Sequence, residues 1–343
     1  MRPIVEETMA SFTVRGVVVA VQWEGRQPER LIVGTDGAGN PLAEDALFPV
    51  ASLTKLATAL AVLRLADRGA LALDDELARH LPDAAAARPG VTIRRLLTHT
   101  AGLPESYPEE PDIYKIGLTW PAIAGACLRS PLAESPGARV LYSGVGYSLL
   151  AVVVERLADQ PFPRALADLV LTPLNVEAYL GVEPPRAPAQ IDVDNILFAG
   201  TELEFYNSPF FRGLGEPASG LLTTTDGVLA LIGANGNPTY LSDDTRREAT
   251  RNHVGSLGGG VPGWFELPVC PWALGPALQG TFPWAPANAS AASYGHTGAS
   301  GCIVWHDPAA RISWAILGTQ VAETGWCDES FPRIGAAILA SIP

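Results

Sequence analysis

The strand-forming runs of this chain stand at its two ends. Val14 to Trp23 and Arg30 to Thr35, separated by the turn-rich EGRQPE, read as one hairpin. Cys302 to Trp305 and Arg311 to Gly318, separated by a turn at His306, Asp307 and Pro308, read as a second. Between the hairpins the apolar spacing becomes helical. A strand needs another strand beside it, so the economical solution is one antiparallel sheet built by both chain ends, with a mainly helical body inserted between them. Ile4 to Ser11 and the closing FPRIGAAILASI read as helices that cover this sheet. The expected class is therefore α+β, with a sheet domain from residues 1–50 and 254–343 and a helical domain from 51–253.

In the middle, Leu56, Ala59, Leu60, Leu63 and Ala66 recur at helical spacing within Leu53 to Asp67, and Gly69 is a suitable stop. Thr92 is the expected N-cap of a short helix in VTIRRLLTHTAGLP, which breaks at Gly102 and Pro104. GYSLLAVVVERLADQ reads as another amphipathic helix. Two long stretches, Gly181 to Gly220 and Gly255 to Ser290, are rich in Pro, Gly and aromatics and weakly patterned. Loops of that length in a compact protein are usually functional or cover something. Their phenylalanines and tryptophans (Trp264, Trp272, Trp284) suit either an apolar pocket wall or plain loop packing.

With 48% apolar and 17% charged residues, a chain of 343 can bury a large core. Its net charge of -13 argues against nucleic acid or an anionic membrane as partner, because both require a basic surface. No apolar run approaches the ~20 residues of a membrane helix, and Glu6 and Glu7 interrupt any leader-like segment. A cytoplasmic protein acting on a small molecule is the expectation. Cys127, Cys270, Cys302 and Cys327 are widely spaced, without the C-x-x-C pairing of a zinc site, and are expected as free thiols.

Lysine occurs only twice, as Lys55 and Lys115, against 21 arginines. Lys55 lies three residues after Ser52 in FPVASLTKLATALAVLRLADRG, at an expected helix start, where positions i and i+3 share a face. A serine hydroxyl is a weak nucleophile that a neutral amine can activate by taking its proton. Arginine stays charged and cannot do so, which gives this chain a physical reason to keep a lysine here. A helix N-terminus also favours negative charge developing at Ser52. Alone, S-x-x-K remains open to the plainer reading of a first-turn serine beside a solvated lysine.

Further segments follow in order: VTIRRLLTHTAGLP, PGARVLYSGVGYSLLAVVVERLADQPF, PASGLLTTTDGVLALI and YGHTGASGCIVWHDP. With the Ser52 segment, they resemble the serine β-lactamase and penicillin-binding protein superfamily, in its class C β-lactamase and family VIII esterase branch. The resemblance runs from about Phe48 to Gly318 and implies the β-lactamase/transpeptidase-like fold, with a cleft between sheet and helical domains. It implies Ser52 as acylated nucleophile, Lys55 as its activator and Tyr142 as a proton-moving partner across the cleft. His296, Thr297 and Gly298 would edge the cleft, and the backbone N–H groups of Ser52 and Ala299 would form the oxyanion hole.

Two positions depart from the family pattern. Gly144 stands where Tyr-x-Asn has its amide, and His296 stands where Lys-Thr-Gly has its lysine. Both changes weaken the case for gripping a carboxylate or a peptide-like side chain. The resemblance thus implies a serine hydrolase, with carboxylesterase activity on small acyl esters leading. A D-amino acid peptidase or amidase, a weak β-lactamase, and a ligand-binding or sensor module that has lost turnover remain alternatives. No metal or organic cofactor is called for: His80, His253 and His306 show no acidic or cysteine companions at ligand spacing, and His99 reads as a structural residue pinning a turn. Asp74, Asp75 and Glu76 read as a helix N-terminal charge cluster. No G-x-S-x-G elbow is present, so an α/β-hydrolase has no nucleophile here.

Overall fold

A computed structural model describes residues 1–194, 196–261, 263–280 and 283–341, with the side chains of 111 and 112 left aside. The last residue of the expected closing helix, position 342, and positions 195, 262, 281 and 282 of the two long loops lie outside the described residues.

Six strands form an antiparallel sheet: β1 (Gly16–Trp23), β2 (Glu29–Gly34), β3 (Ala277–Leu278), β4 (Tyr294–Gly298), β5 (Cys302–Asp307) and β6 (Ile312–Gly318). Their spatial order is β2-β1-β6-β5-β4-β3, so the first and last strand pairs meet where β1 joins β6. Val19 pairs with Ile316, which pairs on its other side with Ile303. Strand β1 is buried on both faces, and that is why it reads GVVVAV instead of alternating polar with apolar, whereas the edge strand β2 is mostly part-exposed. Val17, Val19 and Val21 pack with Val5 and Met9 of helix α1 (Arg2–Phe12) and with Phe331, Ile334 and Ile338 of the C-terminal helix Trp326–Ala340. Val18 and Ala20 face the other way, into the cluster that contains the helical body.

At the centre of that body are α2 (Thr54–Asp67) and α3 (Gly144–Ala158). Both were expected as amphipathic, yet every residue of α2 from Thr54 to Leu63 and of α3 from Val145 to Val154 is buried. Neighbours surround each helix, so its small and apolar residues serve packing on all sides and the periodicity marks no solvent face. Thr92 caps its short helix as expected, its hydroxyl accepting from Arg95 N–H at 3.2 Å. That helix ends at Leu97, one turn before the Gly102 and Pro104 break.

The acidic run stands at the N-terminus of the short helix Leu77–His80, whose N-cap is Glu76, as expected, and it makes specific bonds besides. Asp74 pairs with Arg94, Asp75 accepts from Ala72 N–H and Arg79, and Glu76 accepts from Gly90 N–H. These carboxylates tie loops together and do not simply decorate a helix end. His80 does have an acidic companion, because its Nε2 lies 2.9 Å from Asp75, five residues earlier.

Candidate active site

Ser52 sits in a single 3-10 turn, Ala51–Leu53, that feeds directly into α2. Ala51 has φ of +43°, a left-handed conformation rare for a residue with a Cβ. Two contacts hold it there. Val50 N–H donates to Leu221 O at 3.0 Å, and β4 presses Gly298 so close that an added Cβ would lie 2.3 Å from Val50 O. Glycine at position 298 is therefore a packing requirement: it lets the strand edge approach the serine turn, and Ala299 follows immediately. The turn leaves Ser52 partly exposed and directs Lys55 inward, where it is 3% exposed.

Lys55 Nζ lies 3.3 Å from Ser52 Oγ and donates to Ala218 O at 2.9 Å. Burial pushes the ammonium down to about 8, against the opposing pull of Glu216 and then Glu105. The i, i+3 spacing read in the sequence thus becomes a direct contact, although Ser52 lies in the tighter turn preceding the helix.

Tyr142 follows a two-residue strand, Val140–Leu141, that pairs in parallel with Gly259–Val261. Its backbone N–H donates to Gly260 O at 3.0 Å, and its ring centroid lies 4.8 Å from Lys55 Nζ, the amine that contacts Ser52 Oγ. Burial raises the phenol above its ordinary value, so Tyr142 remains a neutral hydroxyl.

Beneath Tyr142 lies His99, whose ring centroid is 4.4 Å away. His99 accepts Ser143 N–H on Nδ1 at 3.0 Å, and its carbonyl accepts Leu141 N–H at 2.7 Å. It has φ of +56° and is 1% exposed. Burial, then the positive Lys55, holds its pKa well below the usual imidazole value. The histidine expected to pin a turn does so, and it clasps both sides of Tyr142.

Opposite, β4 carries His296, Thr297 and Gly298, all buried along one strand. His296 Nδ1 lies 2.7 Å from the Thr297 carbonyl, so that nitrogen carries the proton. Burial and then Lys55 push its pKa to about 3, which makes the ring neutral at physiological pH. Trp272 completes the wall, edge-on to His99 at 4.7 Å and 5.9 Å from both Tyr142 and His296. Of the three loop tryptophans only this one reaches the site. Trp264 and Trp284 pack against one another with centroids 4.8 Å apart and planes tilted by 52°, and Trp284 donates to Asp328. The residues 198–210 of the other loop wrap Tyr114 with Phe198, Phe205 and Phe210.

Gly144 begins α3, and its N–H donates to Glu105 O at 2.8 Å. A Cβ there would lie 2.9 Å from that same oxygen, so the backbone of Glu105 occupies the space a side chain at this position needs. Sequence reasoning missed both Glu105 and Glu216. Glu105 has a modest signal, since it directly follows the HTAGLP segment; Glu216 has only its place as the single acidic residue in RGLGEPASG.

A family model described as "Beta-lactamase" matches residues 1–328. Esterase EstB of Burkholderia gladioli is 34% identical over 268 residues, covering 66% of this chain and 67% of the relative. Protein flp of Staphylococcus aureus (strain MRSA252) is 23% identical over 227 residues, 64% of this chain, and the match spans only 45% of flp. Among solved structures, D-amino acid amidase from Ochrobactrum anthropi SV3 complexed with L-phenylalanine amide superposes with a TM-score of 0.80 at 19% identity, covering 99% of this chain and 96% of that one. EstCE1, described as a hydrolase with promiscuous acyltransferase activity, superposes with a TM-score of 0.76 at 22% identity, covering 98% and 97%.

Proposed function

The chain belongs to the beta-lactamase family as a serine hydrolase, and from that premise we propose that Ser52 is the acylated nucleophile of a carboxylesterase for small acyl esters. The observation that carries this reading is the contact of Lys55 Nζ with Ser52 Oγ at 3.3 Å, in a pocket that depresses the ammonium to about 8. About a tenth of Lys55 is then neutral at pH 7, enough to serve as a base.

Neutral Lys55 takes the Ser52 proton as Oγ bonds to the ester carbonyl carbon. The negative charge moves to the carbonyl oxygen, where the backbone N–H groups of Ser52 and Ala299 receive it; each such donor contributes ~3 kcal/mol or more in the transition state. Collapse breaks the bond to the alcohol oxygen, which receives the proton from Lys55 through the neutral Tyr142 hydroxyl. A water then attacks the acyl-enzyme by the same route, giving its proton to Lys55 and, on collapse, returning one to Ser52 Oγ. Tyr142 acts as relay and Lys55 as base, because burial raises the phenol and lowers the ammonium.

The neutral His296 and the glycine at 144 support esters over carboxylate-bearing β-lactams, since neither offers a charge or an amide to such a substrate. The 34% identity with EstB supports the same choice. The four buried cysteines are free thiols, which suits a reducing compartment, so we place the enzyme in the cytoplasm. Among the described residues, no helix is long and apolar enough to cross a membrane.

The test is turnover of short-chain p-nitrophenyl esters and fluorophosphonate labelling, each in wild type and Ser52→Ala. Ester turnover with an adduct on Ser52, both lost in the variant, is the expected result. Faster release from D-amino acid amides or from nitrocefin than from any ester would replace the esterase reading with an amidase or β-lactamase one. Reversible ligand binding with no adduct would leave only a sensor.

A further inference from the structure

Four rings stand around the proposed nucleophile, and they belong to two walls. His99 and Tyr142 come from the helical body, while His296 stands on β4, its centroid 6.0 Å from that of Tyr142. Trp272 packs on both walls. Its indole meets His99 edge-on at 87° with centroids 4.7 Å apart, and it lies 5.9 Å from Tyr142 at 55° and 5.9 Å from His296 at 76°. All three separations fall in the range over which aromatic rings attract one another. Trp272 has no exposed surface, so it cannot touch a substrate and acts only through the rings it packs against.

The indole is held from three directions. Its Nε1–H donates to Gly275 O at 3.1 Å, which fixes the orientation of the ring. Gly275 has φ of +115°, and a Cβ there would lie 2.6 Å from Ala59 Cβ. Glycine at 275 therefore lets the acceptor of the indole rest against α2, on the face that carries Lys55 one turn earlier. The backbone of Trp272 bridges to Ala277, whose strand β3 pairs with β4 at Gly295, the residue before His296. On its other flank, Trp272 O accepts His253 N–H at 2.9 Å. The His253 ring is itself pinned, with Nε2 2.8 Å from Glu248 O and Nδ1 3.1 Å from Arg94. The turn from Trp272 to Ala277 thus takes its place from α2, from β4 and from the segment that ends at His253.

We propose that Trp272 is a positioning residue for the hydrolase reaction: held against α2 through Gly275, its indole sets the spacing of Tyr142 from β4, and so of the proton relay from the Ala299 oxyanion donor, on either side of Ser52. This inference rests on the reading of Ser52 as nucleophile and Tyr142 as relay.

Burial alone does not give a tryptophan this role. Trp284 is 1% exposed, packs with Trp264 and Phe265, and donates to Asp328. Trp305 donates to Ser293 Oγ and Trp326 to Gln320 O. Among the described residues, none of these three has a ring contact with Tyr142 or His296. Trp284 therefore supplies the control, a large indole in the core of the same chain without a link to the site.

The experiment compares wild type, Trp272→Phe and Trp284→Phe at one temperature well below all three melting midpoints. It measures kcat and KM for a short-chain p-nitrophenyl ester, with active enzyme counted by the stoichiometry of fluorophosphonate labelling at Ser52. Phenylalanine at 272 loses the bond to Gly275 O and leaves a gap behind Tyr142 and His296. Trp272→Phe should label to the wild-type stoichiometry but more slowly. It should lose on the order of tenfold or more in kcat per labelled site, with KM changed by less than about threefold, because a shift of about 1 Å in reacting groups can cost a hundredfold in rate. Trp284→Phe should lower the melting midpoint yet keep wild-type kcat per labelled site. A purely structural Trp272 would follow that control, with fewer active molecules and unchanged turnover in those that label. If Trp272→Phe melts below the assay temperature, Gly275→Ala, which keeps the indole and displaces its acceptor, carries the same prediction. Wild-type kcat per labelled site in the variant, or a loss confined to KM, overturns this inference alone. Absence of both labelling and ester turnover in wild type overturns it together with the proposed function.

Discussion

Lys55 shows how one residue's surroundings dictate chemistry that its type only permits. With burial lowering the ammonium to about 8, the rate of ester cleavage should rise with pH through an ascending limb near that value. No limb should appear near the usual imidazole range, because His296 and His99 both titrate far below it. A limb near 6.5, abolished by His296→Gln, would show that a histidine and not Lys55 is the base. Lys55→Arg keeps the positive charge and removes the capacity to accept a proton. It should cost on the order of a hundredfold or more in kcat, with little change in the melting midpoint. His99 presents the opposite case, a residue with positioning value only. His99→Asn tolerates the left-handed backbone but leaves Ser143 N–H without its acceptor. Stability should fall by about 1–3 kcal/mol in urea titration, and kcat should drop without displacement of the pH limb.

Among the elements, the 3-10 turn and β4 together prepare the nucleophile. Ala51 holds its left-handed φ because Val50 is bonded to Leu221 and Gly298 packs against the turn. Gly298→Ala would force β4 and the turn apart, separating Ala299 from Ser52. The expected outcome is a loss of at least tenfold in kcat, larger than any rise in KM, since the oxyanion donors act on the transition state. Restoring the family's amide by Gly144→Asn should not raise activity. The new Cβ meets Glu105 O at 2.9 Å, so a lower melting midpoint and lower turnover are expected. A gain in activity would mean that the Glu105 segment yields readily. The helices α2 and α3 illustrate a limit of periodicity: apolar spacing correctly located both, but said nothing of the polar-looking threonines, Thr54 and Thr58, that became buried hydrogen-bonding sites.

Across the whole molecule, the sheet joins residues from the two chain ends, and its inner face shares a hydrophobic cluster with α2 and α3. Val18, Ala20, Val304 and Ala315 pack in the same cluster as Leu56, Leu60, Leu149 and Val153. Sheet and helical body should therefore unfold together, with ester turnover and far-UV circular dichroism lost at one urea concentration. Two separated transitions would contradict this coupling. Ile316→Ala, at the centre of β6 with no exposed surface, should cost about 2–5 kcal/mol and lower the midpoint of both signals equally.

The order of residues along the chain carries short-range geometry. The terminal hairpins, the helices, the Thr92 cap and the i, i+3 relation of Ser52 to Lys55 follow from residue spacing along one local segment, so they were legible before any fold was known. The ordered segments also brought Tyr142, Gly144 and His296 into view, through resemblance and not through their own chemistry. Distant groups meet only in the folded chain: the Ala218 carbonyl on Lys55, the backbone oxygen that excludes a side chain at Gly144, the His99 clasp on Tyr142, and the choice of Trp272 over Trp264 and Trp284. The physical reason is that electrostatic and steric effects depend on distance through space. Segments more than 150 residues apart, such as those of Lys55 and Ala218, leave no periodic signature of their meeting.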